Sequence, residues 1–525
     1  MNRREFFAAA GIASGMAAAA SPRKNVVLMV SDDLNSALGC YGNPIVKTPH
    51  LDAFARRSVL FDHAYCQFPL CAPSRASLLS GLRPDKTDIW TLHTPLRKYM
   101  PDTVMLPEMF RRNGWYTAGI GKIFHNGPEH EDPRSWDLME TGGGGKTGPA
   151  AATEGPQVPK PRNNVIEGHQ MPKPRNHTME WARLDVADEK TADGRIARRC
   201  ADLIPGFAKD KKPFFLGVGF HAPHSPYAAP SRYFDLYDPA KIPVPKVPEG
   251  YAKSIPEAAW YELAEQRPPT EQETRLYRAA YYACISFMDA QAGIVLDALN
   301  VAGLWDSTVV VFLSDNGYHT GEHGMWHKMT LFEESTRLPL IIHAPGAKGE
   351  GKRCSGLVEF IDLYPTLAEL CGIPRPAGLD GMSLVHAVND PAHGGKPAAY
   401  SSVGRHPDRT RLTSDLTYLG HSVRTQRWRY TEWDGGRKGV ELYDERADPG
   451  ELRNLAGEPG YDGLKDRLMQ ILHQHTFTAA GHGADAPPRP SAKRPGPAEP
   501  GGSVRSAGDG GAPAGLDAPG SITTA

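Results

Sequence analysis

Apolar runs that end in polar residues recur along the chain and predict buried strands of a parallel sheet. The runs "NVVLMVSDD" and "STVVVFLSDNG" predict strands at Asn25–Ser31 and Thr308–Leu313. Three similar runs predict strands within Trp115–His125, Pro213–His224 and Arg337–Gly346. The carboxyl ends of parallel strands line the active-site crevice of an α/β fold, so the polar residues after these strands are the first functional candidates.

Helical patterns separate the strands, and the alternation of the two predicts an α/β fold. The predicted helices are Leu51–Arg57, Ser74–Gly81, Thr103–Asn113, Ala187–Ile204, Glu271–Asn300 and Ile361–Cys371. We therefore expect a large, mostly parallel sheet flanked by helices over residues 21–376. Shorter strands with turns, and a helix near Tyr461–Thr476, predict a smaller C-terminal α+β subdomain over residues 377–479.

Three further segments have compositions unlike that of a folded core. Paired arginines, a mildly apolar stretch and small residues predict a twin-arginine-type export signal at 1–20. The protein is then expected in the periplasm or outside the cell, with the twin-arginine machinery as a partner. Residues 141–176 form a Gly/Pro-rich insertion, interpreted as a surface loop or a substrate lid. The Gly/Pro-rich tail at 480–525 is expected to be disordered.

Composition narrows the possible partners. The chain has 525 residues and a formal net charge of -1, so no basic excess indicates nucleic acid as a partner. The sequence shows no run of about 18 apolar residues, so a stable membrane anchor is not expected. Seven cysteines without motif spacing do not describe a disulfide framework. A disulfide between Cys66 and Cys71 is nevertheless one interpretation of "YCQFPLC".

Two acidic strand ends predict a metal site. Asp32 and Asp33 follow the first strand, and Asp315 and Asn316 follow the later one. Carboxylates brought together at one sheet edge repel each other unless a cation lies between them. Oxygen ligands favour Ca²⁺ or Mg²⁺ over zinc. For either pair alone, capping of a turn or a helix is the alternative.

Basic residues and histidines follow the same strand ends or flank the cysteine in "LCAPSR". They are Arg75, Lys122, His125, His221, His224 and Lys328. Together with a divalent metal they suit a small, highly charged oxyanion, and phosphate and sulfate esters both fit. His319, His323 and His327 are interpreted as residues that pack a loop.

The motifs resemble those of type I sulfatases, in the alkaline-phosphatase-like superfamily. "CAPSR", from Cys71 to Arg75, matches the Cys-x-Pro-Ser-Arg core of that family, and "SLLSGLRP" continues its signature. "SDDLN", "GKIFH", "HAPH", "SDNG" and the Lys328 segment follow in the family's order. The resemblance covers about residues 25–475 and is strongest to the iduronate-2-sulfatase-like branch. That branch often has histidine where this chain has Asn316.

The resemblance implies that a maturase oxidises Cys71 to Cα-formylglycine. One hydroxyl of its hydrate attacks sulfur, and the other allows sulfate to be expelled. The implied ligands of one Ca²⁺ are Asp32, Asp33, Asp315, Asn316 and the modified residue 71. Arg75 and Lys122 would hold the hydrate, and His125 would accept its proton. His221 and Lys328 would bind the sulfate and protonate the leaving oxygen.

The implied reaction is hydrolysis of sulfate esters of carbohydrates. Trp90, His93, Arg405 and His406 are the candidates for contacts with the rest of the substrate. A cationic pair opposite an aromatic ring would suit a uronate carboxylate, although Arg405 and His406 are equally interpretable as loop residues. Two alternatives stay open: a phosphoric or phosphonic monoester hydrolase of the same superfamily, and a non-catalytic polysaccharide-binding homologue.

Overall fold

The computed structural model describes residues 23–141, 165–166, 169–170, 181–261, 269–407 and 415–476. The predicted export signal at 1–20 and the predicted tail at 480–525 lie outside the described residues. The insertion at 141–176 also lies outside them, apart from residue 141 and two short strands.

Strands occur throughout the described part of the chain. They are β1 (Asn25–Asp32), β2 (Val59–Tyr65), β3 (Tyr116–Gly121), β4 (Leu138–Glu140), β5 (Val165–Ile166), β6 (His169–Gln170), β7 (Trp181–Leu184), β8 (Phe214–Pro223), β9 (Tyr227–Pro230), β10 (Thr308–Ser314), β11 (His319–Thr320), β12 (Trp326–His327), β13 (Arg337–His343), β14 (Arg353–Glu359), β15 (Ala398–Arg405), β16 (Tyr418–Thr425), β17 (Trp428–Trp433) and β18 (Val440–Asp444).

The α-helices alternate with these strands along the chain. They are α1 (Pro49–Ala55), α2 (Cys71–Ser80), α3 (Pro84–Thr87), α4 (Leu96–Tyr99), α5 (Leu106–Arg112), α6 (Ala192–Asp210), α7 (Ser231–Phe234), α8 (Tyr251–Ser254), α9 (Glu271–Val301), α10 (Glu333–Thr336), α11 (Leu363–Leu370), α12 (Val385–Asn389) and α13 (Asp462–Thr476).

Eight strands form the main sheet, in the order β14-β2-β13-β10-β1-β8-β3-β4. Every neighbouring pair is parallel except those that involve β13, which runs antiparallel to β10 and β2. The predicted α/β fold with a mostly parallel sheet is therefore confirmed. In β1 and β10 the register places Ser31 opposite Ser314, so both strands end at the same level.

The continuous apolar runs reflect a sheet that is covered on both faces. Val27 and Met29 of β1 belong to one core cluster, with residues of α6 and α9. Val26 and Leu28 point to the other cluster, with residues of α2, α5 and α11. Because successive side chains point to opposite faces, a strand with helices on both sides must be apolar at every position.

Helix α9 is the long helix that supports one face of the sheet. Thr270 and Glu273 form a capping box at its start, which satisfies backbone N–H groups of the first turn. By length and composition this helix alone among the described residues could cross a membrane, but 89% of its apolar window is buried inside the molecule. Its hydrophobic residues are therefore core residues of the fold.

A second sheet follows the main one in the chain. Strands β15 to β18 form an antiparallel meander in sequence order, and α13 packs against it. Backbone contacts join it to the main sheet region, since the N–H of Ser402 donates to Gln67 O at 2.9 Å. The predicted boundary at residue 377 stays a prediction.

Candidate active site

The ends of β1 and β10 bring the two acidic pairs together. The N–H of Asp33 donates to Oδ1 of Asp315 at 3.2 Å, and Nδ2 of Asn316 donates to Oδ1 of Asp33 at 2.7 Å. These residues and Asp32 are buried. Asp33 has a φ of 61°, a left-handed conformation that non-glycine residues seldom adopt and that often marks a functional site.

Helix α2 carries Cys71 to this cluster at its first position. Sγ of Cys71 lies 3.3 Å from Oδ1 of Asp32 and 3.9 Å from Oδ1 of Asp33. Every residue of the helix is buried. The unpaired N–H groups and the positive end of the helix dipole favour an anion beside residue 71. All seven cysteines are free, so the structure contains no Cys66–Cys71 disulfide.

Each carboxylate of the cluster has its own basic partner. The pairs are Arg75 Nε with Asp315 Oδ2 at 2.8 Å, Lys122 Nζ with Asp32 Oδ2 at 2.5 Å, and Lys328 Nζ with Asp33 Oδ1. Nζ of Lys328 also lies 3.0 Å from Sγ of Cys71. Burial alone would raise the pKa of Asp32. The nearby positive charges, above all those of Lys122 and His224, instead lower this pKa well below its usual range. Burial raises the pKa of Asp315 in spite of Arg75.

The residues present fit a bound divalent metal. Three carboxylates and three cations cancel, so a metal would give the cluster a net positive charge for an anionic substrate. Among the described residues, Oδ1 of Asn316 is buried and has no hydrogen-bond partner. Ligand atoms of Asp32, Asp33, Cys71 and His224 lie within 4.8 Å of one another. Hard oxygen donors and an unsatisfied amide oxygen are the features expected of such a site.

His125 and His221 lie in different environments. Burial, followed by the charge of Lys122, lowers the pKa of His125 to about 2, so its ring is neutral at ordinary pH. Nδ1 of His125 has no hydrogen-bond partner among the described residues. Asp193 holds His221, with Oδ1 2.9 Å from its backbone N and 3.3 Å from its Nδ1. Nε2 of His221 is then the nitrogen left for a ligand.

Two residues near the site were given no specific role by the family resemblance. Nε2 of His224 lies 3.6 Å from Oδ2 of Asp33, and its side chain is 37% exposed. The "HAPH" motif contains His224, so the sequence carried a signal for it. Asp193 lies on α6, 28 positions before His221. No pattern in the sequence connects the two.

The predicted substrate contacts fall into two groups. The ring of Trp90 packs edge-on against Phe68, with centroids 6.0 Å apart, and His93 is exposed. Arg405 and His406 are buried instead. The guanidinium of Arg405 donates to Ala258 O at 2.8 Å and Met329 O at 2.9 Å, and it stacks on a tryptophan ring. This geometry favours a structural role for Arg405 over the predicted contact with a uronate.

Solved structures share this architecture. The phosphonate monoester hydrolase of Silicibacter pomeroyi superposes with a TM-score of 0.73 at 24% identity, over 88% of this chain and 96% of that one. This chain therefore shares the fold of that enzyme. A family model described as "Sulfatase" matches residues 24–373, and one described as "N-sulphoglucosamine sulphohydrolase, C-terminal" matches residues 321–477.

Curated relatives agree with the family model. Mouse iduronate 2-sulfatase is 30% identical over 85% of this chain and 93% of its own length. A sulfatase of Formosa agariphila is 32% identical over 87% of both chains. The chain belongs to the sulfatase family, as the sequence motifs predicted. It is accordingly a sulfuric ester hydrolase.

Proposed function

We propose that this sulfatase acts through a Cα-formylglycine made from Cys71. The observation that carries the proposal is the position of this side chain, buried at the start of α2 between Asp32 and Lys328. Burial, and next Asp32, raise the pKa of the thiol, so an unmodified Cys71 would be a protonated and weak nucleophile. Formylglycine, when hydrated, supplies a nucleophilic oxygen at this position.

One Ca²⁺ is the proposed metal. Oxygens of Asp32, Asp33, Asp315 and Asn316 would hold it, together with residue 71. Its chemistry is to add positive charge beside the sulfate oxygens, where negative charge develops during ester cleavage. The carboxylates and the amide match the ligand preference of Ca²⁺, and the orphaned Oδ1 of Asn316 supports the assignment.

The remaining side chains have roles that their surroundings support. Arg75 and Lys122 would orient the side chain of residue 71. Burial opposes ionisation of Lys328, but Asp33 raises its pKa well above the usual range, so it stays charged and suits binding of the sulfate. His221, oriented by Asp193, would donate the proton to the leaving oxygen. His125, whose Nδ1 has no hydrogen-bond partner among the described residues, would accept the proton that accompanies sulfate release.

We further infer that the substrate is a sulfated carbohydrate, with uronate-containing saccharides as the narrower class. Iduronate 2-sulfatase is a relative that supports this narrower class. Trp90 and His93 remain the proposed contacts outside the sulfate pocket. Export from the cytoplasm through the twin-arginine machinery is proposed from the sequence at 1–20.

The decisive experiment is mass spectrometry of the tryptic peptide 58–75, with sulfate release measured on the same preparation. The peptide contains Cys66 and Cys71. After alkylation we expect one labelled cysteine, Cys66, and a loss of about 18 Da at position 71 as thiol becomes aldehyde. Cys71→Ala should release no sulfate from a panel of sulfated saccharides. Fully active protein with both cysteines alkylated would disprove the proposal.

Phosphonate monoester hydrolysis is the second candidate, because the fold matches that of the Silicibacter pomeroyi enzyme. The same preparation should be assayed on an aryl sulfate and on an aryl phosphonate monoester. Neither substrate contains a sugar, so both measure the activity of the anion pocket alone. A higher kcat/KM on the phosphonate would make that reaction the main one.

A further inference from the structure

A second cluster of metal-binding side chains lies outside the proposed calcium site. Ligand atoms of His319, His323 and Glu334 lie within 4.8 Å of one another. Both histidines are almost fully buried, with 0% and 2% of their surface exposed. Nδ1 of His319, Nε2 of His323 and Oε2 of Glu334 are buried. Nε2 of His323 faces Oε2 of Glu334, and the backbone of Glu322 contacts His319.

In both histidines the other ring nitrogen lies within hydrogen-bond distance of a hydroxyl group. Nε2 of His319 lies 2.7 Å from Oγ1 of Thr330, and Nδ1 of His323 lies 2.6 Å from the hydroxyl of Tyr251. Metal-bound histidines usually make such a second contact, which fixes the ring orientation. The two contacts leave Nδ1 of His319 and Nε2 of His323 as the nitrogens that face the cluster.

We propose that His319, His323 and Glu334 bind one divalent transition-metal ion of the zinc type. Two imidazoles and one carboxylate are a common zinc ligand set and leave one coordination position for water. Nε2 of His323 and Oε2 of Glu334 are 3.3 Å apart. Two ligands of a tetrahedral zinc ion have about this separation.

An ion pair between His323 and Glu334 is the arrangement without a metal. It would use two of the three atoms and leave the ring of His319 with the hydroxyl of Thr330 and the backbone of Glu322 as its contacts. A metal ion would bind all three atoms at once, which accounts for their convergence within 4.8 Å.

The position of the cluster gives the metal a structural task. Lys328 lies in the chain between His323 and Glu334, and its amino group reaches Cys71 and Asp33. This segment contains three non-glycine residues with positive φ: His323 at 58°, His327 at 75° and Met329 at 72°. Such conformations persist only when surrounding contacts hold them. A metal bound by His323 and Glu334 would fix both ends of the segment between them, which positions Lys328.

The test uses the full chain, loaded with Zn²⁺, freed of excess metal and analysed for zinc and calcium per chain. We expect one zinc per chain in the wild type. His319→Ala and Glu334→Gln should each weaken zinc binding at least about tenfold. His343→Ala is the control, because His343 is also buried but has carbonyl oxygens near both nitrogens, at 2.9 and 3.4 Å. It should retain the zinc.

Two measurements keep the test independent of folding defects and of the calcium site. Cobalt(II) bound to the unmutated protein should give the visible absorption of a nitrogen-coordinated site, and added Zn²⁺ should remove it. Asp33→Asn should lose calcium and keep zinc. A wild type that binds no zinc, or a zinc content unchanged in both His319→Ala and Glu334→Gln, would overturn the proposal.

Discussion

At the scale of single residues, Asp33 is the most informative position of the site. Asp33→Asn keeps the shape of the side chain but removes a proposed metal ligand and the charged partner of Lys328. We expect loss of sulfate release and a lower melting temperature, because a buried cation left without its counter-charge costs about 3–5 kcal/mol.

Chelation provides the comparison for Asp33. Exhaustive removal of metal from the wild type should abolish activity, and Ca²⁺ should restore it. Added Ca²⁺ should not restore Asp33→Asn. Full activity of the chelated wild type would show that the carboxylates serve a purpose other than metal binding.

At the scale of elements, Asp289 joins α9 to the start of α1. Its carboxylate accepts the N–H groups of Leu51 at 2.8 Å and His50 at 3.2 Å. Burial raises its pKa from 3.8 to about 7. Between these values the native state holds a proton that the unfolded chain has lost, so this group makes stability fall as pH rises through that window.

Asp289→Asn isolates this contribution. The variant cannot ionise, so its free energy of unfolding should fall less than that of the wild type between about pH 4 and pH 7. Urea unfolding at several pH values measures the difference. Parallel pH profiles for the two proteins would show that Asp289 is ionised throughout this range.

Arg405 tests how β15 is attached to neighbouring loops. Arg405→Ala removes donors to Ala258 and Met329 and the stacking on Trp433, so we expect a loss of about 2–3 kcal/mol in stability. Its kcat/KM should fall by the same factor on a uronate sulfate and on an aryl sulfate. A loss of kcat/KM on the uronate sulfate alone would show that Arg405 contacts the substrate.

At the scale of the whole molecule, Arg429 links the second sheet to the catalytic part of the chain. It is buried and pairs with Glu333 of α10 and, at 2.5 Å, with Glu451. Arg429→Met would leave these carboxylates buried with less positive charge, which should cost about 3–5 kcal/mol. The deficit should shrink at low pH, where the carboxylates take up protons.

A surface arginine is the control for Arg429. Arg437 pairs with Asp434 three positions earlier and is 68% exposed. Arg437→Ala should leave the stability almost unchanged, because water screens exposed ion pairs. Calorimetry on both variants measures the contrast. Equal effects would mean that the buried network contributes no more than the surface pair.

The sequence by itself determined the fold class and the strand ends at which the candidate site residues meet. Apolar runs with polar ends were sufficient to predict the central strands, because a strand that is covered on both faces must be apolar at nearly every position. The parallel arrangement then brings strand ends together, which is why Asp33 and Asp315 were correctly expected to meet. Strands β2 and β14 were not predicted, because residues such as Asp62 and Arg353 interrupt their apolar pattern.

Only the tertiary structure decided the partners of residues that lie far apart in the chain. Asp193 orients His221 from another element. Arg405, a predicted substrate contact, is buried and donates hydrogen bonds to carbonyl groups of two loops. His319, His323 and Glu334 meet because a tight hairpin and a short helix converge. Hydrogen bonds and burial of this kind depend on side-chain directions in three dimensions, which no periodicity along one chain specifies.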